Sequence, residues 1–351
     1  MTLVLFALGV VLLIAGAQAL VRGASGLAAA LGVSPLVIGL TVVAWGTSAP
    51  EVAVSVDAAV RGSGDIAVGN VVGSNIMNVL LILGLSALVA PLVVARAMSR
   101  VHVPLMIGAS ILLVALAVDG RVGRIDAAVL LVGFAAYTAY SMRSSRGGEA
   151  PRPVGKRRPA LDVAFVIAGL GLLVLGARWL VNGAVAFAQA LGVSELVIGL
   201  TIVAAGTSLP EIATSVVATL KGERDIAVGN VVGSCIFNIV GVLGVSGLAA
   251  PDGIAVSGAV LRFDLPVMVA AAVVCLPVFL SGSIISRAEG ALFLACYAGY
   301  TACCVTGAAP VTPVIGVTAA AILWGIARLL IGSGPRPARA SGEGRSPSSL
   351  P

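Results

Sequence analysis

Charge is scarce in this chain. Only 10% of its 351 residues are Asp, Glu, Lys or Arg, whereas soluble domains carry about 25% charged residues. Aromatic residues make up 4% of the chain, and 59% of the residues are hydrophobic. A water-soluble globule is therefore excluded. An outer-membrane barrel is excluded too, because its strands alternate apolar and polar residues and the apolar stretches here are continuous.

Groups that commonly build metal centres or catalytic sites are also few. The chain has one histidine and five cysteines, and the cysteines lie in apolar stretches without the spacing of a metal site. No Ser/His pair, paired Asp or H-E-x-x-H arrangement indicates an enzyme. The net charge of +6 does not indicate nucleic acid as a partner, because 6 of the 21 basic residues lie together between 143 and 158.

What the sequence does contain is a series of apolar stretches of about 18 to 30 residues, each long enough to cross a hydrocarbon core of roughly 30 Å as a helix. We predict ten membrane helices, near 2–30, 35–60, 65–90, 101–118, 124–142, 161–190, 195–220, 225–250, 264–281 and 287–306. An eleventh candidate lies at 311–332, and the tail 333–351 is rich in Gly, Pro and Ser, which predicts disorder.

The chain is also an internal repeat. When 31–91 is aligned with 191–251, an offset of 160, 40 of the 61 positions are identical. The first repeat is assigned to 1–142 and the second to 161–306, joined by the basic linker 143–160. Chance does not produce such identity, so the two halves should share one fold.

Five helices in each repeat is an odd number, which places the second repeat upside down in the membrane relative to the first. The predicted fold class is an all-α polytopic membrane protein of two inverted five-helix repeats. Basic residues favour the cytoplasmic side. This places the 143–160 linker in the cytoplasm and the N-terminus outside, with the chain in the inner (plasma) membrane.

The second helix of each repeat carries the motif G-T-S-x-P-E, at 46–51 and 206–211. A proline inside a helix removes a backbone hydrogen bond, so we expect unwinding near the middle of both spans. Glu51 and Glu211 lie at these breaks, where a carboxylate costs roughly 2.5–3.5 kcal/mol and needs a compensating cation. Oxygen ligands of this kind suit calcium, sodium or magnesium.

The third helix of each repeat offers further oxygen atoms. Ser74 and Asn78 are four residues apart and so lie on one helix face, and Ser234 and Asn238 repeat the spacing. We expect these four side chains to be ion ligands. The neighbouring Asn70 and Asn230, together with the glycines of G-N-V-V-G-S, are interpreted as close helix packing.

At this point the sequence resembles a known family. The duplicated G-T-S-x-P-E and G-N-x-x-G-S motifs, within 39–84 and 199–244, are similar to the α-1 and α-2 repeats of the sodium/calcium exchanger family of the cation/calcium antiporter superfamily. The resemblance covers residues 1 to about 306. It implies exchange of several Na⁺ for one Ca²⁺ by alternating access without a cofactor, with the first and sixth helices sliding across a fixed core.

The resemblance also implies an ion site. The family's ligands fall on Glu51, Thr47, Ser48, Ser74, Asn78 and the carbonyl of Ala44, and on Glu211, Thr207, Ser208, Ser234, Asn238 and the carbonyl of Ala204. Among them, Glu51, Glu211, Thr47 and Thr207 are assigned to the metal ion itself.

Asn238 departs from the pattern, because microbial exchangers of this kind have aspartate there. Two glutamates neutralise one Ca²⁺ or two Na⁺, so the counter-ion stays open between Na⁺ and H⁺, with Li⁺ as a further candidate. The leading prediction is a Na⁺/Ca²⁺ antiporter, and the alternative is an H⁺/Ca²⁺ antiporter of the same superfamily. A cation channel is a third, weaker hypothesis. The lipid bilayer is the other partner expected.

A few further charges lie in apolar stretches. For Asp57 two interpretations stay open, a buried ion pair with Arg22 or Arg178, or a position near a helix end or water-filled vestibule. Asp65 and Asp225 are predicted to cap the third and eighth helices. His102 is predicted to lie at the membrane interface.

Overall fold

The computed structural model describes residues 2–144, 159–190, 204–280 and 283–306. Its helices are α1 (Thr2–Leu31), α2 (Pro35–Thr47), α3 (Ala49–Val60), α4 (Gly64–Val89), α5 (Met98–Leu116), α6 (Arg124–Ser144), α7 (Pro159–Ala190), α8 (Ala204–Gly206), α9 (Leu209–Leu220), α10 (Arg224–Ala249), α11 (Val260–Leu280) and α12 (Arg287–Thr306). Four two-residue strands complete it: β1 (Leu92–Val93), β2 (Arg121–Val122), β3 (Ile254–Ala255) and β4 (Ile284–Ile285).

Most of these helices can cross a membrane. Within the described ranges, seven are long and apolar enough to do so, and the bent pair α2 and α3, which changes direction by 47°, would form an eighth span. The predicted multi-pass helical protein is therefore confirmed. The predicted segments 311–332 and 333–351, most of the linker 143–160 and the start of the predicted helix 195–220 lie outside the described residues.

The repeat-equivalent helices α4 and α10 are the most deeply buried spans. The larger apolar core lies between them and the helices α5 and α11, and it includes Leu83, Met106, Ile236 and Phe279. A smaller core joins α1 and α7 to the rest of the protein through Leu20, Val43, Leu173 and Ala227. The G-N-V-V-G-S segments thus occupy the centre of the protein.

A glycine seam joins α1 to α7. Gly9, Gly16 and Gly23 are seven residues apart on α1, and Gly169, Gly176 and Gly183 repeat the spacing on α7. The helices run antiparallel, since Gly9 lies beside Leu180 and Gly23 beside Val166. A Cβ on Gly169 would lie 2.5 Å from the backbone nitrogen of Leu20. Small residues of this kind let helix backbones approach closely in lipid, where van der Waals packing drives association.

Wider, π-helical turns interrupt the central helices. One covers Asn78–Ile82 in α4, and its repeat equivalent covers Asn238–Val242 in α10. Such turns are rare and occur frequently at functional sites. Both begin on an asparagine that the sequence marks as a candidate ligand, so the change of helical pitch starts at the site itself.

The short strands tie the two repeats together. β1 pairs antiparallel with β4, and β2 pairs antiparallel with β3. β1 and β2 belong to the first repeat, and β3 and β4 to the second. Each pairing therefore joins one repeat to the other, and the first strand of each repeat pairs with the second strand of the other.

The structure resolves the open interpretation of Asp57. Its carboxylate pairs with Arg61 at 2.9 Å, one turn away, and the two side chains are 61% and 72% exposed. α3 ends at Val60, so Asp57 lies in the last turn of the helix rather than deep in a span. The buried ion pair with Arg22 or Arg178 is therefore wrong. Arg22 lies over the ring of Phe165, 4.6 Å from its centroid.

Two smaller predictions concern Asp65 and His102. Asp65 lies in the first turn of α4, where its charge faces the helix dipole, but it forms no capping hydrogen bond with its own helix; its Oδ1 accepts one from the backbone nitrogen of Ser257 at 3.0 Å. His102 lies in the first turns of α5 and is 3% exposed. It packs edge-on against the rings of Tyr137 and Tyr140, so its ring is buried within the protein.

The glycine seam gives a first prediction. Gly169→Val should lower the thermal stability of the detergent-purified protein, because the added carbons meet the backbone of α1; overpacking typically costs about 1–3 kcal/mol. Gly171→Val is the matched control, since a Cβ on Gly171 meets nothing within 4 Å. Thermal unfolding of both variants checks this, and equal midpoints would contradict a tight α1–α7 seam.

Candidate functional site

Two helix breaks bring the G-T-S-x-P-E motifs together. Ser48 separates α2 from α3 and has φ −82° and ψ 9°. Ser208 precedes α9 with almost the same angles, φ −88° and ψ 4°. The expectation that proline unwinds a helix interior needs correction, because Pro50 and Pro210 lie in the first turn of the helix that follows. A missing N–H costs nothing there; the break falls on the serine.

The two glutamates of the motifs are fully buried. Glu51 is 0% exposed and Glu211 is 1% exposed. Each lies in the first turn of its half-helix, α3 or α9, where the positive end of the helix dipole favours an anion. Neither forms an ion pair with a described residue. Two carboxylates are thus held in the interior, and no cationic side chain of the described ranges pairs with them.

Each glutamate accepts a hydrogen bond from the serine of the other motif. Ser48 Oγ donates to Glu211 Oε1 at 2.8 Å, and Ser208 Oγ donates to Glu51 Oε1 at 3.1 Å. Ser74 Oγ lies 3.5 Å from the same Oε1 of Glu51 and 3.1 Å from Ser208 Oγ. The motifs, 160 residues apart, therefore form one site. The structure brings together these five side chains, all of which are predicted ligands.

The threonine of the first motif reaches the second repeat. Thr47 Oγ1 donates to Asn230 Oδ1 at 3.1 Å, and Asn230 Nδ2 donates to Ser215 Oγ at 3.0 Å. Asn230 is 0% exposed. The amide oxygen of Asn230 thus accepts from the first repeat, and its NH₂ group donates within the second.

The equivalent asparagine makes the reciprocal contacts. Thr207 Oγ1 donates to Asn70 Oδ1 at 3.3 Å, and Asn70 Nδ2 donates to Ser55 Oγ at 2.9 Å. The interpretation of Asn70 and Asn230 as packing residues missed this role. Their identity at an offset of 160, beside both motifs, is the signal that could have indicated it.

The carbonyl of Ala44 lies within the same network. It accepts hydrogen bonds from the backbone nitrogen of Ser48 at 3.1 Å and from Ser234 Oγ at 3.5 Å, and Thr47 Oγ1, which donates to Asn230, lies 3.3 Å away. The break in the helix therefore does not leave this carbonyl without hydrogen bonds. The contact with Ser234 shows that the second repeat reaches it. Ala204, its equivalent, begins α8.

Several buried oxygen atoms at the site have no hydrogen-bond partner among the described residues. They are Glu51 Oε2, Glu211 Oε2, Asn78 Oδ1 and Asn238 Oδ1. A buried polar atom without a partner costs about 1–3 kcal/mol. All four are hard oxygen donors, and calcium or sodium accepts such donors. The chemistry of the site therefore fits these cations as transported substrates.

Both repeats of the chain match a known protein family. The family described as sodium/calcium exchanger protein matches residues 1–143 and 161–306. The chain belongs to this family. It is thus a membrane antiporter and not an enzyme, and the family carries Ca²⁺ and Na⁺ as substrates without a cofactor, as the resemblance implies.

Individual relatives cover most of the chain. The protein CaxA of Alkalimonas amylolytica is 40% identical over 304 residues, which are 83% of this chain and 95% of CaxA. The sodium/calcium exchanger MaX1 of Methanosarcina acetivorans is 33% identical over 335 residues, 84% of this chain and 95% of that protein. A solved structure of the sodium-calcium exchanger NCX_Mj superposes with a TM-score of 0.77 at 33% identity, covering 86% of this chain and 97% of NCX_Mj.

The contacts of Asn230 give a second prediction. Asn230→Ala removes the hydrogen bonds to Thr47 and Ser215 and leaves both hydroxyls buried, so stability should fall by about 1–3 kcal/mol. Asn182→Ala, at an exposed position on α7, should change the unfolding midpoint little. Thermal unfolding of the two purified variants is the measurement, and a stable Asn230→Ala protein would refute the structural role of this amide.

Proposed function

We propose that this protein is an antiporter that exchanges Na⁺ for Ca²⁺ by alternating access to one site shared by its two repeats. One observation carries the proposal. Glu51 and Glu211 are buried, each accepts a hydrogen bond from the serine of the other repeat with one oxygen, and each leaves its second oxygen without a partner in the described structure. A bound cation supplies what both lack.

Charge balance couples the two ions. The pair of carboxylates carries two negative charges, which one Ca²⁺ or two Na⁺ neutralise. Buried charge without compensation is costly, so an ion must bind again before the protein can return the site to the other side of the membrane. Because both cations use the same oxygen atoms, occupancy by one excludes the other, and exchange follows.

We propose as ligands the side chains and carbonyls that the two repeats present at the breaks and on the central helices. Supporting this, all eight motif and serine side chains form hydrogen bonds between the repeats, and Ser74, which accepts one from Ser208, also contacts Glu51. The ligand set is Glu51, Thr47, Ser48, Ser74, Asn78 and Ala44 O with Glu211, Thr207, Ser208, Ser234, Asn238 and Ala204 O.

We also propose ten membrane spans in two inverted repeats, 1–142 and 161–306. The antiparallel packing of the equivalent helices α1 and α7 supports an inversion, and so does the reciprocal pairing of β1 with β4 and β2 with β3. Basic residues then place the linker 143–160 in the cytoplasm and the N-terminus outside, in the plasma membrane.

Proton coupling is the competing function, because Asn238 limits the acids of the site to two. Calcium uptake into proteoliposomes separates the two proposals. Uptake driven by an outward Na⁺ gradient at constant pH is the expected result. Uptake that ignores Na⁺ and follows a pH gradient would favour H⁺/Ca²⁺ exchange, and passive flux without a counter-ion would favour a channel.

A third prediction tests the carboxylates. Glu51→Gln or Glu211→Gln should reduce Na⁺-driven calcium uptake to the level of empty liposomes, because one carboxylate cannot neutralise Ca²⁺ in a buried site. Asp57→Asn is the control, since Asp57 is an exposed acid on the same helix as Glu51, and its transport should match that of the wild type. Transport retained by either glutamine variant would refute the assignment.

A further inference from the structure

The orientation of one buried amide, that of Asn75, follows from its neighbours. Asn75 lies on α4 and is 3% exposed. Its Nδ2 donates to the backbone oxygen of Cys235 at 3.1 Å and lies 3.7 Å from Met268 Sδ. A carbonyl oxygen and a thioether can only accept hydrogen bonds. The NH₂ group must therefore face these two atoms, and Oδ1 must face the opposite way.

Asn75 in turn determines the orientation of Asn238 in the other repeat. Asn238 Nδ2 donates to Asn75 Oδ1 at 3.1 Å. Since this Oδ1 can only accept, Asn238 must present its NH₂ group to it, and its own Oδ1 is directed elsewhere. That oxygen is buried and has no hydrogen-bond partner among the described residues. It belongs to a side chain one turn after Ser234, on the same face of α10.

In the second repeat the equivalent contact is weaker, because the thiol of Cys235 faces Asn78 there. Cys235 stands where Asn75 does in the first repeat, and its Sγ donates to the backbone oxygen of Asn75 at 3.8 Å. A thiol is a weak acceptor, so it cannot fix an amide as a carboxamide oxygen does. Accordingly, among the described residues Asn78 meets the thiol of Cys235 but forms no side-chain hydrogen bond of ordinary geometry. The two equivalent asparagines are thus held differently.

We propose that Asn75 is a positioning residue for ion exchange: it holds Asn238 with Oδ1 free to coordinate the cation. The same contact requires a hydrogen-bond donor at position 238, because an ionised aspartate there would set oxygen against oxygen. Asn75 and Asn238 are therefore a matched pair that keeps the site at two negative charges. The proposal rests on the proposed function, in which Asn238 is a ligand.

Calcium binding to the detergent-purified full chain, titrated with CaCl₂ in sodium-free buffer, tests this. Asn75→Cys and Asn75→Ala should both weaken calcium affinity; losing a residue that orients a ligand typically costs roughly 10- to 100-fold. Cysteine is chosen because the fold already accepts it at the equivalent position 235. Cys275→Ala is the matched control. It removes a buried thiol whose hydrogen bond stays within α11, to the backbone oxygen of Ala271, so its affinity should equal that of the wild type.

A double-mutant cycle separates positioning from a general loss of packing. In an Asn238→Ala background, Asn75→Cys should cause no further loss of affinity, because it acts through Asn238. Unchanged affinity in the Asn75 variants, a full additional loss in the Asn238→Ala background, or an equal loss in Cys275→Ala would each overturn the proposal. If the wild type itself binds no calcium, or Glu51→Gln binds it normally, the proposed function fails instead.

Discussion

The hydrogen bonds from Ser48 to Glu211 and from Ser208 to Glu51 join the two halves of the protein around two buried carboxylates. Each bond satisfies one carboxylate oxygen and leaves the other without a partner. In a membrane interior, where charge is costly, the two carboxylates need compensation by a bound cation or by protonation. In the proposed function the transported ions supply it, and the need to replace one ion by another couples their movements.

The surrounding structure holds this pair in place from both sides. The helix breaks at Ser48 and Ser208 present the glutamates at the positive ends of α3 and α9. The amides of Asn70 and Asn230 each connect a threonine of one repeat to a serine of the other. The strand pairs then fix the ends of the spans. A rigid centre of this kind contrasts with α1 and α7, which pack on each other through glycine and rest on the smaller apolar core.

Much of this could be predicted from the sequence, because duplication marks what both halves need. Glu51 and Glu211 stand out as acids at equivalent places in apolar spans, and polar punctuation sets helix ends to within a few residues. Other features depend on which helix faces pack together, and a single sequence does not show that. Asn70, Asn230 and Asn75 look like packing residues until the other repeat lies beside them. For Asp57 the sequence leaves two interpretations open, and only the end of α3, one turn after it, decides for a position near a helix end.

Thermal unfolding of the purified protein against calcium concentration tests the central claim most directly. Binding to the folded state alone stabilises it by about 2.7 kcal/mol at 100 times the dissociation constant. Calcium should therefore raise the midpoint of the wild type progressively. Sodium, which competes for the same site, should raise the calcium concentration needed for a given increase. The double variant Glu51→Gln/Glu211→Gln should not respond to calcium. An unresponsive wild type, or a double variant that responds as the wild type does, would contradict a shared two-carboxylate ion site.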